Sequence, residues 1–219
     1  MSAAIDHLVV AAASLAQGAD WCEQVLGVTA APGGQHVGMG THNRLLSIGS
    51  AAFPKTYLEI IAIDPAAPKP QRPYWFGLDR PALQARLRQG PKLVHAVARC
   101  DTLDAALARL AGLGVDAGHA LAAERANAHG VLRWRIAVRD DSQLLFGGAL
   151  PTLIEWGVQH PSAMLPASPV GLAALSLGGL PAAVGEALAL PGVPLRETGA
   201  ALIAELDTPR GRVRLSSDD

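Results

Sequence analysis

The chain has 219 residues, a formal net charge of −1 and a hydrophobic fraction of 50%. That length accommodates one large domain or two small ones, and this apolar content with only 17% charged residues excludes an intrinsically disordered chain. The 18 basic residues are balanced by 19 acidic residues, which leaves no positive excess for a nucleic-acid backbone or an anionic membrane. We therefore expect a folded protein whose partner is a small molecule.

The cysteines and the N-terminal residues bear on the compartment. Cys22 and Cys100 fit neither a disulfide framework nor a Cys-x-x-Cys metal motif. The chain begins without a basic segment followed by an apolar one, so we expect no signal peptide and a cytoplasmic location. The apolar stretch 170–190 has about the length of a membrane span, but Gly178, Gly179 and Pro181 interrupt it. This interruption predicts a strand, a turn and a helix instead.

The first part of the chain predicts a strand, a helix and three further strands. Ser14 is a favourable N-cap for the helix, and Gly27 ends it. The turn signal Asp64-Pro65 closes the last strand. The predicted elements are a strand at 5–10, a helix over 14–26, and strands at 28–31, 43–49 and 57–63.

The same order recurs from Lys92 onwards. Asp101 is the predicted N-cap of the second helix, and Gly114 ends it. The clearest strand is 131–138, where apolar residues alternate with arginines in a period of two. The predicted elements are a strand at 93–98, a helix over 101–113, and strands at 120–124, 131–138 and 153–156. A duplicated βαβββ unit indicates an α+β protein.

A third, shorter unit follows the second copy. Its predicted strands and helix have the order βαββ, and Thr208-Pro209-Arg210-Gly211 is a favourable turn between the last two strands. Pro-rich segments separate the units. We divide the chain into a first module at 1–66, a connector at 67–91, a second module at 92–161 and a partial module at 170–219.

Two histidines and two glutamates occupy matching places in the two copies. His7 and His95 lie in the first strand of each half, and Glu59 and Glu155 lie in the last strand. A charged group in an apolar strand needs a partner or a metal. If the copies pair about a pseudo-twofold axis, these nitrogen and oxygen donors would converge and suit zinc, nickel, cobalt, manganese or iron(II). For each residue alone, a hydrogen-bonded core histidine or a solvent-facing glutamate remains the ordinary alternative.

Several motifs resemble the glyoxalase-like proteins of the vicinal oxygen chelate superfamily, which has the glyoxalase, bleomycin resistance and dioxygenase fold. They are the segments 5–10, 38–46 and 57–65, and Ile154-Glu155-Trp156 followed by His160-Pro161. The resemblance covers residues 5–161. It implies paired βαβββ modules that form an open, cup-shaped mixed sheet around a divalent metal, whose ligands match His7, Glu59, His95 and Glu155.

The same resemblance implies a class of chemistry. Superfamily members use the metal to bind vicinal oxygens of a substrate, and a set of two histidines and two glutamates favours proton transfer by a lyase or isomerase. Glu155 is the first candidate for the base and Glu59 the second. A non-catalytic binding protein of the antibiotic-resistance type and an iron(II) ring-cleaving dioxygenase stay open as alternatives. A homodimer also stays open, because relatives often dimerise.

Several other residues could contact a substrate, but each also has a simpler structural explanation. Thr41, His42, Asn43 and Arg44 form a loop entering a strand at the edge of the cup, where they would contact substrate, although a simple glycine turn is the competing explanation. Arg44, Arg133 and Arg135 would suit an anionic group of a substrate, but arginines that alternate along a strand are more typical of its solvated face. Ordinary core packing is favoured for Trp75, Trp134 and Trp156, although they would also suit the wall of an apolar pocket. No role is assigned to His36, His119, His129 and His160.

Overall fold

The computed structural model describes residues 3–36, 38–127 and 130–219. Eight strands form one large sheet. They are β1 (Ala3–Ala11), β2 (Ala31–His36), β3 (Thr41–Ser47), β4 (Tyr57–Ile63), β5 (Lys92–Cys100), β6 (His119–Asn127), β7 (Gly130–Val138) and β8 (Thr152–Trp156). The order across the sheet is β2-β3-β4-β1-β5-β8-β7-β6.

The pairing at the centre of this sheet confirms the duplicated architecture. β1 and β5 run antiparallel, with His7 opposite Val97 and Val9 opposite His95. In each module the first strand pairs in parallel with the last one, β1 with β4 and β5 with β8. The two modules are therefore related by a pseudo-twofold axis between β1 and β5. The sheet curls into a half-barrel, in agreement with the cup that the resemblance implies.

The helices begin and end near the predicted residues. Ser14 caps α1 (Leu15–Trp21) by accepting a hydrogen bond from the Gln17 amide, and a π-helical turn continues α1 to Gly27, which has φ 75°. α2 (Pro81–Leu87) lies in the connector, where no helix was predicted. α3 (Leu103–Ala111) has Thr102 at its N-cap position. The prediction of Asp101 as N-cap is thus wrong by one residue.

The C-terminal unit forms a separate four-stranded sheet. Its elements are β9 (Gly171–Gly178), α4 (Ala182–Leu188), β10 (Leu195–Arg196), β11 (Leu202–Thr208) and β12 (Gly211–Ser216). The sheet order is β10-β9-β11-β12, so the first strand here lies between β10 and β11, whereas β1 and β5 each pair with the last strand of their own module. No helix in the described ranges is long and apolar enough to cross a membrane.

The convex face of the large sheet carries one apolar core. Leu8 and Ala96 from the central strands belong to this core together with Leu103 of α3. Leu175 of β9 and Leu206 of β11 belong to it as well, so the C-terminal sheet shares its buried surface with the two modules.

The concave face of the large sheet carries a second, smaller apolar core. Val9, Val97 and Ile61 from the central strands pack there with Leu78 and Leu87 from the connector. This concave face is the floor of the cup.

Candidate functional site

A β-bulge in β1 places two ionisable residues on the floor of the cup. Ile5 pairs with Ala98 and His7 with Val97, so Asp6 is an extra residue without a partner on β5. An extra residue of this kind re-aims its side chain, and such bulges are frequent beside functional sites. Asp6 is fully buried, and its carboxylate lies against the His7 ring that follows it.

Three N–H groups bind the Asp6 carboxylate. Trp156 Nε1 donates to Oδ2 at 3.0 Å, His160 Nε2 lies 2.8 Å from Oδ2, and His7 Nδ1 lies 2.7 Å from Oδ1. Burial by itself would raise the pKa of Asp6, but the hydrogen bonds from His160 and His7 outweigh it and hold the pKa well below its usual range. Because an ionised carboxylate only accepts hydrogen bonds, His7 carries its proton on Nδ1 toward Asp6.

This assignment leaves His7 Nε2 facing Glu59. The distance from His7 Nε2 to Glu59 Oε2 is 3.6 Å, and Tyr57 stacks on the His7 ring with 4.5 Å between centroids. Glu59 Oε1 accepts a hydrogen bond of 2.6 Å from Asn43 Nδ2. Asn43 therefore holds one oxygen of the buried Glu59 carboxylate, while the other oxygen points toward His7.

His36 extends this polar group on the side of the first module. Its Nε2 is 3.2 Å from Asn43 Nδ2, and its Nδ1 is 2.9 Å from Thr41 Oγ1. Burial lowers the pKa of His36, partly offset by the carboxylate of Glu59. A neutral His36 accepts from Asn43 and donates to Thr41, so it keeps the Asn43 amide aimed at Glu59.

Aromatic and aliphatic side chains enclose this polar group. A cavity of about 60 Å³ lies above His7, Glu59 and Asn43. Its apolar walls come from both modules and from the connector, and they include Leu45, Trp75, Phe76, Leu132, Trp134, Ile136, Ile154 and Trp156. All three tryptophans for which the sequence favours ordinary packing therefore line the cup. The connector residues Trp75 and Phe76 cover it, and Phe76 adopts the left-handed backbone conformation with φ 53°.

The second module has a neutral counterpart of the His7 and Glu59 pair. The bulge recurs in β5, where Val94 is the extra residue between Leu93 and His95. Val9 and Val97 are equivalent, because each follows the histidine of its module by two residues. Glu59 on β4 lies opposite Val9, and Thr152 on β8 lies opposite Val97. By this register Thr152 matches Glu59.

His95 makes its hydrogen bonds within the second module. His95 Nε2 lies 3.0 Å from Thr152 Oγ1 and accepts from the Thr152 amide at 3.1 Å. Burial lowers the pKa of His95 to about 3, with the charge of His7 as a smaller cause. Its ring packs 5.2 Å from Phe76 and lines a separate cavity. Among the residues that line the cavity over Glu59, His95 is not included.

Glu155 lies on the opposite face of the sheet from Glu59. Ile154 and Trp156 point into the cup, so the alternation of β8 directs Glu155 outward. Its Oε2 accepts a hydrogen bond of 2.7 Å from the Leu103 amide and lies 3.4 Å from Arg135 Nη1. Glu155 thus caps the first turn of α3. The sequence pattern pairs Glu155 with Glu59, but in the observed register the residue equivalent to Glu59 is Thr152, three residues before Glu155.

The predicted substrate-binding residues divide between the two faces of β3. Thr41 and Asn43 face the cup through their contacts with His36 and Glu59. His42 points away, with its Nδ1 3.8 Å from Asp64 Oδ2, and Arg44 donates to the Ala30 carbonyl at 3.2 Å. Half of this set therefore belongs to the site.

The four-donor metal site is not assembled by the residues described. Among them, no group of three or more His, Cys, Asp or Glu side chains is arranged to hold a metal ion. His7 and Glu59 remain together, whereas Glu155 caps α3 and His95 binds Thr152. In these positions the four predicted donors do not fit a four-coordinate ion.

Sequence reasoning missed Asp6, His36 and His160. Asp6 carried one signal, which is a carboxylate directly before a histidine inside an apolar strand. His36 and His160 had no counterpart in the other module, so duplication could not mark them. His119 lies 4.0 Å from Asp140 on the surface, and His129 lies outside the described residues.

Comparison with known families agrees with this architecture. The model of the glyoxalase-like domain matches residues 5–189. The chain belongs to the glyoxalase-like domain family. This finding confirms the resemblance to the glyoxalase-like proteins. No curated protein sequence matches the chain significantly.

Solved structures that resemble this chain share little sequence with it. A hypothetical protein from Staphylococcus aureus has a TM-score of 0.57 and 14% identity over 98% of this chain and 86% of its own. Methylmalonyl-CoA epimerase from Mycobacterium tuberculosis has a TM-score of 0.40 and 17% identity over 74% of this chain and 91% of its own. A Streptomyces coelicolor methylmalonyl-CoA epimerase variant in complex with 2-nitronate-propionyl-CoA has a TM-score of 0.43 and 19% identity over 71% of this chain and 96% of its own.

Proposed function

We propose that this chain is an isomerase-type enzyme that transfers a proton at a carbon atom of a small oxygenated metabolite. The observation that supports this proposal is the Glu59 carboxylate, which is buried at the floor of an apolar cup with one oxygen held by Asn43 and the other 3.6 Å from His7 Nε2. A positioned carboxylate in a water-poor site is a suitable general base. The two buried, free cysteines fit a reducing, cytoplasmic compartment.

Each polar residue has a defined part in the proposed reaction. Glu59 Oε2 takes the proton from the carbon next to a carbonyl group, and the electrons of the broken C–H bond move to the carbonyl oxygen as an enolate forms. Glu59 then delivers the proton to the adjacent, former carbonyl carbon, and the substrate hydroxyl proton passes by way of His7 Nε2 to the former carbonyl oxygen, so the carbonyl and hydroxyl groups exchange places. His7 Nε2 accepts a hydrogen bond from a substrate hydroxyl group, since Asp6 keeps the His7 proton on Nδ1. Asn43 prevents rotation of the Glu59 carboxylate.

Exchange with deuterated water tests the reaction class. The protein is incubated in D₂O with a panel of α-hydroxy and α-keto compounds, and loss of the carbon-bound proton signal is followed by proton NMR. We expect catalysed exchange in at least one compound of the panel. If every compound exchanges at its uncatalysed rate while one of them binds tightly, the enzyme proposal is contradicted and a binding protein is supported.

A binding protein is the second candidate, and the wall of the cup is the observation that favours it. Trp75, Trp134, Trp156 and Phe76 surround the cavity with rings, and the described donors do not form the predicted metal set. The dioxygenase alternative requires two histidines and a carboxylate around one ion. Because His95 is bound to Thr152 and Glu155 caps α3, the contacts of these donors do not favour it.

A further inference from the structure

One arginine in the cup has no bonding partner in the part of the chain that the structure describes. Arg125 on β6 lines the cavity that holds Glu59 and His7. Among the described residues, its guanidinium has no hydrogen bond or ion pair within bonding distance. Arg133 on the neighbouring strand, by contrast, is bound to Glu124 at 3.0 Å on the outer face. Arg125 is half-buried, so its guanidinium has lost part of its hydration and is available to bind an anionic ligand.

The backbone makes room for this guanidinium. Arg125 is paired with Leu132, which also lines the cup, so the strand alternation directs both side chains inward. At the other edge of the sheet, Gly34 lies so close that a β-carbon there would be 2.5 Å from Arg125 Nη1 and 3.0 Å from Cζ. β2 and β6 are the two edge strands, so the curl of the sheet brings its edges together with Arg125 between them.

The charges near Arg125 limit what it can bind. Its positive charge acts on both His36 and Tyr57, which places it beside the polar group on the cup floor. Two carboxyl side chains, Asp6 and Glu59, already occupy that floor. These carboxylates repel a dianion such as phosphate more strongly than a monoanion, and a single carboxylate matches the planar fork of arginine.

We propose that Arg125 is the anchor for the carboxylate of a monoanionic substrate whose apolar or aromatic part packs against the tryptophan walls. The inference rests on the proposed function because it takes the cup as the substrate site, and it adds the substrate class. The carboxylate binds Arg125 at the edge of the sheet, and the adjoining carbon atoms extend toward Glu59 and His7. Trp134 and Trp156, with 5.7 Å between ring centroids, supply the wall between these two ends.

Binding of a matched acid and amide tests this anchor without turnover. Phenylacetate and phenylacetamide, which have similar shapes and differ in charge, are titrated by calorimetry into the wild type, Arg125→Met, Arg125→Lys and Arg133→Met. We expect the wild type and Arg133→Met to bind the acid at least about tenfold more tightly than the amide, which is the size of a charge-assisted hydrogen bond. Arg125→Met is expected to abolish this preference.

The lysine variant keeps the test decisive if Arg125→Met does not fold. It retains the charge and loses the bidentate fork, so we expect it to weaken the acid preference. Equal binding of acid and amide by the wild type, failure of phenylacetate to bind, or full preference in both Arg125 variants would overturn the proposal. An acid preference without deuterium exchange would support the anchor and contradict the catalytic role of Glu59, so the two proposals fail separately.

Discussion

Asp6 connects the two modules through a single carboxylate. It lies in the first strand of the chain, yet two of its hydrogen-bond donors, Trp156 and His160, come from the end of the second module. The third donor is His7, whose tautomer the carboxylate determines. One buried side chain therefore joins the halves of the cup and orients a residue at its floor.

Asp6→Asn is expected to lower the free energy of unfolding by about 1–3 kcal/mol, because an amide N–H would face one of the buried donors. The same change allows His7 to carry its proton on Nε2, which nitrogen NMR shifts of the ring would show. Urea unfolding measures the stability. Asp207→Asn, in the exposed ion pair with Arg212, is the control and should change stability by less than about 0.5 kcal/mol. Equal stability of Asp6→Asn and wild type would contradict the role given to Asp6.

The site residues that could be predicted from the sequence were those that interrupt an apolar strand and those of the family-like segment 38–46, which includes Thr41 and Asn43. His7 and Glu59 interrupt apolar strands, and this pattern is visible in the sequence. The direction of the Asp6 side chain results from a β-bulge, and a β-bulge leaves no periodic pattern in the sequence. His36 and Asn43 become neighbours only through the pairing of β2 with β3, where an irregular register follows Pro32.

At the scale of elements, strand register separates Glu59 from Glu155. Both follow apolar residues in the last strand of their modules, and the sequence offers no reason to prefer either one. The parallel pairing with β1 and β5 resolves this, since Glu59 faces the cup and Glu155 meets the first turn of α3. Strand positions were predictable where alternation and turn residues bound them, whereas the predicted strand at 28–31 shares only one residue with β2 (Ala31–His36). Tyr57–Ile63 is reproduced residue by residue.

The helix-capping role of Glu155 gives a stability prediction. Glu155→Ala removes the acceptor of the Leu103 amide and should lower the free energy of unfolding by about 0.5–2 kcal/mol. Glu124→Ala, on the outer face with its exposed partner Arg133, is the control and is expected to stay within about 0.5 kcal/mol of the wild type. Urea denaturation compares the two. A larger loss in Glu124→Ala than in Glu155→Ala would refute the cap.

At the scale of the whole molecule, the two modules share a backbone plan and differ in charge. The bulge residue is Asp6 in one and Val94 in the other, and the residue facing the histidine is Glu59 in one and Thr152 in the other. The sequence was sufficient to predict the pairing of modules, since hydrophobic patterns and caps repeat. It was insufficient to predict which half carries the chemistry, because that depends on two registers and two bulges. The first module carries the ionisable set.

Deuterium exchange in two matched variants tests the central claim most directly. Glu59→Gln and Glu155→Gln each remove one carboxylate from corresponding ends of the two modules and are assayed on a compound that the wild type exchanges. We predict that Glu59→Gln lowers the exchange rate by about 10²–10⁴-fold, the usual contribution of a general base, while Glu155→Gln keeps a rate close to that of the wild type. Wild-type exchange in Glu59→Gln, or its loss in Glu155→Gln alone, would contradict the account.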